Sequence, residues 1–150
     1  MAIGEQLKYG WIRGGKLAVP VPMAAAQALA NASGMFVYMN AGAATLNADA
    51  IGSIFGHLEA HAHTPTVGDM LNCIIDITAV FRIPVNSGTY AVGMIGDQCD
   101  ISISGTVQGV QLDASVENTL TVIAGDADNN NWVDVMMTPT EWGTTIGVDA

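Results

Sequence analysis

Positive charge is nearly missing from this chain: four Lys and Arg stand against fourteen Asp and Glu in 150 residues, a net of −10 at neutral pH. Binding a nucleic acid requires rows of cations to neutralise phosphates. Beyond residue 16 only Arg82 is available, which excludes DNA or RNA as the main partner. Charge of either sign is scarce, at 12% of residues against roughly 25% in an average soluble domain. With 50% of residues apolar, much of the surface must be neutral or apolar, and such surfaces are usually covered by another molecule. The acidic surplus itself favours solubility and keeps copies apart.

Cysteine is also scarce. Cys73 and Cys99 are too few for a disulfide framework, and their spacing fits no zinc ribbon or redox pair. They read as small buried hydrophobes in a reducing compartment. Asp97 and Asp100 beside Cys99 oppose thiolate formation, so a cysteine nucleophile is not expected. Residues 17–48 carry no charge and are long enough to cross a bilayer, but Pro20, Pro22, Asn31, Ser33, Gly34 and Asn40 interrupt them, so no membrane span is expected. The opening Met-Ala-Ile-Gly-Glu-Gln lacks the charged start and apolar run of a secretory signal. Asn31-Ala32-Ser33 is accordingly a chance match to a glycosylation acceptor. No nucleophile elbow, phosphate loop, dinucleotide fingerprint or zinc-protease motif occurs, so neither an enzyme nor a cofactor is expected.

What is present is a period of two. From about residue 80 onward apolar and polar residues alternate between closely spaced turns, the signature of an antiparallel all-β fold. FRIPV places Phe81, Ile83 and Val85 on one face, and Pro84 marks it as an edge strand or a strand end. Cys99, Ile101 and Ile103 alternate with Asp100, Ser102 and Ser104. Val107, Val110 and Leu112 change parity around Gly109, as at a β-bulge. TLTVIAG and WVDVMM are further strands, joined by the polar loop at 126–131. In the first half GMFVYMNAG reads as a strand, and IGSIFGHLEAH as a strand or an amphipathic piece. MAAAQALANASG has the propensity of a short helix, with a loop as the alternative after the extended VPVP. These elements predict one β-rich domain at 17–150 built as a small barrel or sandwich of six to eight short strands, preceded by an extended arm at 1–16.

Two clusters have metal-ligand chemistry. In HLEAHAH a strand would bring His57, Glu59, His61 and His63 to one face, while a helix would pair His57 with His61. A polar surface or inter-subunit patch is the competing reading. Asp126, Asp128 and Asn130 begin like a calcium loop, but Asn131 holds the sixth position, where glycine belongs, and Met137 the twelfth, where glutamate belongs. A polar hairpin turn explains the same residues, and no metal is assigned to either cluster. The arm is the remaining anomaly. Tyr9 and Trp11 alternate there with Lys8, Arg13 and Lys16, residue types that anchor protein interfaces. Its alternative reading is the first strand of the domain.

The stretch 82–137 resembles the capsid decoration, or cement, proteins of bacteriophages. The likeness rests on RIPV, GDQCDI, VQGVQL, NTLTVIAG and NNWVDV, and extends more weakly back through VPVP and GMFVYMNAG. That resemblance implies a β-rich protein added from the host cytoplasm to the outside of an icosahedral head, commonly as a homotrimer. Its partner would be the major capsid protein, reached through the arm at Lys8, Tyr9, Trp11, Arg13 and Lys16. Rival readings are a carbohydrate-binding β-module using Trp11, Trp132 and Trp142, and a tail or fibre component.

Overall fold

The computed structural model describes residues 9–24, 27–31, 34–48, 51–60 and 62–143. Eleven strands follow one another: β1 (Gly10–Arg13), β2 (Ala18–Pro22), β3 (Phe36–Asn40), β4 (Ala43–Leu46), β5 (Gly56–Leu58), β6 (Met70–Ile74), β7 (Val80–Ser87), β8 (Gln98–Ser104), β9 (Val107–Gln111), β10 (Leu120–Gly125) and β11 (Trp132–Met137). The all-β expectation holds, but the strands outnumber the six to eight read from the sequence. The additional ones, β2, β4 and β6, are short pieces of four or five residues in the first half, too brief to show a period. Two 3₁₀ turns, Val92–Met94 and Pro139–Glu141, are the only helical pieces among the described residues. The Ala-rich segment forms no helix there, because Met23 and Leu29 are drawn into β-bridges with Ala44 and His63.

Both sheets close on themselves. The first runs β1-β7-β11-β10-β8-β9, and β9 returns to pair in parallel with β7, so five strands form a ring with β1 attached to its outside strand. The second runs β2-β6-β5-β3-β4, and beyond β2 Met23 bridges Ala44 of β4, bringing the two edges together. Closure leaves few unpaired backbone groups to template aggregation. The remaining outer edge of β2 carries Pro20 and Pro22, which have no N–H to offer.

Each ring has its own core. Phe81, Ile101, Leu120, Val133 and Val135 fill the first; Val21, Met35, Val37, Leu58 and Cys73 fill the second. The middle of the second sheet is buried on both faces. Val37 and Cys73 point into its own core, while their neighbours Phe36 and Ile74 point into the first. This double burial accounts for the unbroken apolar run Met35-Phe36-Val37.

The seam between the rings is stitched by Gln108 on β9. Its side chain is 1% exposed. It accepts from Phe36 N–H at 2.6 Å and donates to the carbonyls of Phe36 at 2.9 Å and Asn47 at 2.8 Å. Asn31 reciprocates, donating to Gln108 O and accepting from Gln108 N, both at 2.9 Å. Two side-chain amides thus do the work of a missing strand ladder.

Two expectations change here. β7 is no edge strand: Pro84 pairs with Trp132 of β11, and it stands where the other side of β7 passes from β1 to β9 and no donor is needed. Gly109 makes no bulge, since β8 and β9 pair in unbroken register. A Cβ there would lie 2.5 Å from Asn86 Oδ1 and 2.7 Å from Pro84 O, so glycine permits β7 to approach. The apparent parity change came from Gln108 occupying a core position with Val110.

Replacing Gln108 by Leu keeps the volume but strips Phe36 N–H of its partner in a buried seam. The expected loss is about 3 kcal/mol of stability, read from the urea midpoint; an unchanged midpoint would refute the stitching role.

Candidate functional site

The N-terminal segment is not a free arm from Gly10 onward. β1 lies antiparallel on β7, with Gly10 opposite Arg82, Trp11 opposite Phe81 and Arg13 opposite Val80. Lys8 lies outside the described residues. The register shifts between Trp11 and Arg13, and this irregularity separates their side chains. Trp11 packs on the first core and donates from Nε1 to Gly15 O at 3.0 Å, whereas Arg13 reaches Asp134.

Around Asp134 the outer face of β1, β7 and β11 brings Arg13 and Arg82 together. Arg82 grips the carboxylate with two hydrogen bonds, Nε to Oδ1 at 2.7 Å and the terminal nitrogen to Oδ2 at 3.0 Å. Its guanidinium carbon also lies 3.7 Å from the Trp132 ring centroid. Arg13 stands 3.7 Å from the same Asp134, which is 2% exposed, while Arg13 is 55% exposed. Lys16 bridges to Glu59 at 2.7 Å and sits 4.8 Å from the Trp11 ring centroid. Burial raises the Tyr9 phenol above its ordinary range; nearby Arg82 opposes this and Asp126 adds to it, which places Tyr9 in the same neighbourhood. Among the described residues Arg13, Lys16 and Arg82 are the only Lys or Arg; Arg13 and Arg82 share Asp134, whereas Lys16 sits with Trp11 and Glu59 just past β1.

The sequence pattern points to Tyr9, Trp11, Arg13 and Lys16. It misses Arg82, Trp132 and Asp134, although the outward parity of Trp132 and Asp134 beside the one cation of the body is a usable signal. The pieces differ energetically. Asp134 is a buried charge whose hydrogen-bonded partner is Arg82, whereas Arg13 is a long, half-satisfied contact open to solvent.

The histidine run does not assemble. β5 ends at Leu58, so alternation stops before Glu59. His57 enters the first core, edge-on to Phe36 at 4.8 Å and stacked on Phe81 at 4.7 Å. Glu59 turns to Lys16 and Asn72, and the backbone of His63 pairs with Leu29. His61 lies outside the described residues. The 126–131 loop is the expected turn. Asp126 accepts the amides of Asp128, Asn129 and Asn131, which hold its carboxyl below the usual range. Asn130 Oδ1 faces Tyr90 N–H at 2.7 Å instead of converging with Asp126 and Asp128. No group of three or more His, Cys, Asp or Glu among the described residues is placed to hold a metal ion. Burial pushes both thiols up to about 12, with Asp100 adding to the effect at Cys99.

Trp142 is likewise committed to structure, donating to Phe55 O at 2.6 Å and stacking on the Phe55 ring. Fold and site together define an all-β, two-ring protein with a cationic aromatic face at Arg13, Arg82 and Trp132. No family model, curated protein or solved structure matches the chain.

Two outcomes are expected. Arg82→Ala abandons the buried Asp134 carboxylate and should cost about 3 kcal/mol, whereas Arg13→Ala should cost under about 1 kcal/mol in the same urea titration. Comparable losses would contradict the division. Burial also pushes His57 down to about 3 from 6.5, so the unfolded chain binds a proton that the native one refuses. This contribution is complete above 6.5 and is lost as pH falls toward 3, at up to about 1.4 kcal/mol per pH unit. His57→Phe should flatten the slope relative to the parent chain, and parallel slopes would refute it.

Proposed function

We propose that this chain is a capsid decoration protein: a virion component that docks on the outer surface of an icosahedral head, as a homotrimer, and clamps neighbouring copies of the major capsid protein. The observation that carries the proposal is the pairing of Arg13 and Arg82 on Asp134 beside Trp132, with Lys16 over Trp11 just past β1, in a chain of net charge −10. The resemblance of 82–137 to decoration proteins supports it from the sequence side.

Physically, an acidic body bearing one cationic aromatic face is repelled by like surfaces everywhere except there, and it meets an acidic shell in a defined orientation. Arg82 holds its ring and carboxylate in place, while Arg13 has unused donors for an incoming carboxylate. Binding only the assembled shell stabilises it by mass action, and several footholds on one trimer add avidity without any single tight contact. Closed rings suit a particle exterior, where an exposed strand edge would recruit unwanted partners. Among the described residues no helix is long and apolar enough to cross a membrane.

Removing residues 1–16 would take β1 and its Trp11 packing with it, so point variants are the better test. Arg13→Ala combined with Lys16→Ala should fold normally and lose most binding to undecorated heads in a co-sedimentation assay, with parent binding weakening as salt rises. Full occupancy by the double variant would remove the docking role of this face. Light scattering reads the trimer separately.

A further inference from the structure

His57 stands at the joint between the two rings. It belongs to β5 of the second sheet, yet its imidazole is stacked on Phe81 of β7 at 4.7 Å and edge-on to Phe36 of β3 at 4.8 Å. Phe36 and Phe81 are themselves edge-on at 5.0 Å, so three flat side chains from two sheets close on one point. The joint is tight: a Cβ at Gly34 would stand 3.0 Å from His57 Cε1. His57 is 4% exposed, and its Nδ1 is a buried polar atom with no hydrogen-bond partner.

No carboxylate waits there for an imidazolium. On β5's own chain Glu59 is held by Lys16 and Asn72, and beyond β6 Asp76 is turned to Leu17 and Thr78. On β6 the Cys73 thiol faces the second core, and on β3 the titratable group following Phe36 on its side of the strand is the Tyr38 phenol. On β7 Arg82 lies on the outer face with Asp134. In the first core the titratable groups are Tyr90 and the Cys99 thiol, which burial and Asp100 push up to about 12. Burial alone moves His57 down to about 3 from 6.5, with no charged neighbour adding to it.

The joint is also where little backbone pairing has to break. Each sheet closes by its own ladder. Between the rings stand the side-chain amides of Gln108 and Asn31 and the short backbone bridge of Ile54 with Trp142. Opening this seam returns His57 to water while both ladders stay paired, and such partial openings cost less than unfolding the whole chain.

We propose that His57 is a proton-operated latch: acid loosens the seam between the two rings before either ring unfolds. Neutral His57 keeps the seam shut above pH 6.5; as pH falls toward 3 the open form, which takes up a proton, gains on the closed one. The latch lies in the joint and does not depend on the capsid reading.

The test is hydrogen exchange of the full chain, each rate expressed as protection relative to an unstructured amide. Phe36 N–H, bonded across the seam to Gln108 Oε1, reports the joint. Leu58 N–H, bonded to Met35 O, and Val135 N–H in β11, between β10 and β7, report the rings. Phe36 should be less protected than both, and its protection should fall about twentyfold between pH 6 and pH 4.5. His57→Phe should remove most of that fall. NMR titration of the His57 ring in the parent chain, which needs no variant to fold, should find it neutral at pH 4.5. Equal protection of all three amides at every pH would mean that acid unfolds the whole chain, and would overturn the latch. So would a Phe36 amide indifferent to pH, an undiminished fall in His57→Phe, or a folded-state His57 ring that titrates near 6.5.

Discussion

The amide exchange between Gln108, Asn31 and Phe36 is the constraint on which the rest of this molecule depends. Two small closed rings have no shared strand to fix their relative position, and apolar contact alone is non-directional. Gln108 supplies direction: one side chain meets both backbone groups of Phe36 while its own backbone is met by Asn31. In a buried seam such groups are costly when unpaired, so the rings have one register in which every group is satisfied. The stacking of His57 between Phe36 and Phe81 follows from that register, because Phe36 and Phe81 belong to different sheets. So does the ion pair of Lys16, placed between β1 and β2, with Glu59 after β5.

How much of this was legible in the sequence differs sharply along the chain. The second half is read well because its strands are long enough for alternation to be visible: Val133, Val135 and Met137 are core residues, and the 126–131 turn is built by Asp126 as its composition implies. The first half is read poorly for two physical reasons. Its strands are short, and the start of β3, all of β5 and the end of β6 are covered on both faces, which erases the polar half of the pattern there. Gln108 shows a subtler limit. A binary pattern counts glutamine as outward, so a buried polar stitch looks like a change of parity, and Gly109 beside it looks like a bulge. A closed barrel or sandwich was expected, but the pairings that close the rings were invisible, since Val85 opposite Val110 and Met23 opposite Ala44 are pairings that no local signal marks.

The candidate sites divide in the same way. HLEAHAH looked like a metal face because period two was extended beyond the three residues that β5 lasts. His57 is instead a flat apolar-faced wedge in the core. Of the arm residues, Arg13 takes its setting from Arg82 and Asp134, distant in the chain and brought beside it by the β1–β7–β11 order, whereas Lys16 meets Trp11 and Glu59. Charge placement of this kind is tertiary information.

Scarcity is what gives the few charges their weight. In a protein with abundant surface ions, one exposed arginine near a buried carboxylate would be lost among screened neighbours within about 10 Å of salt-dependent reach. Here Arg13 and Arg82 share one carboxylate, and several acids elsewhere are spent on backbone amides, as at Asp76, Asp100 and Asp126. Carboxylates used in that way stabilise loops and still leave their charge in the field around the body. Orientation on an acidic surface is therefore decided by one face, not by a sum over many weak contacts.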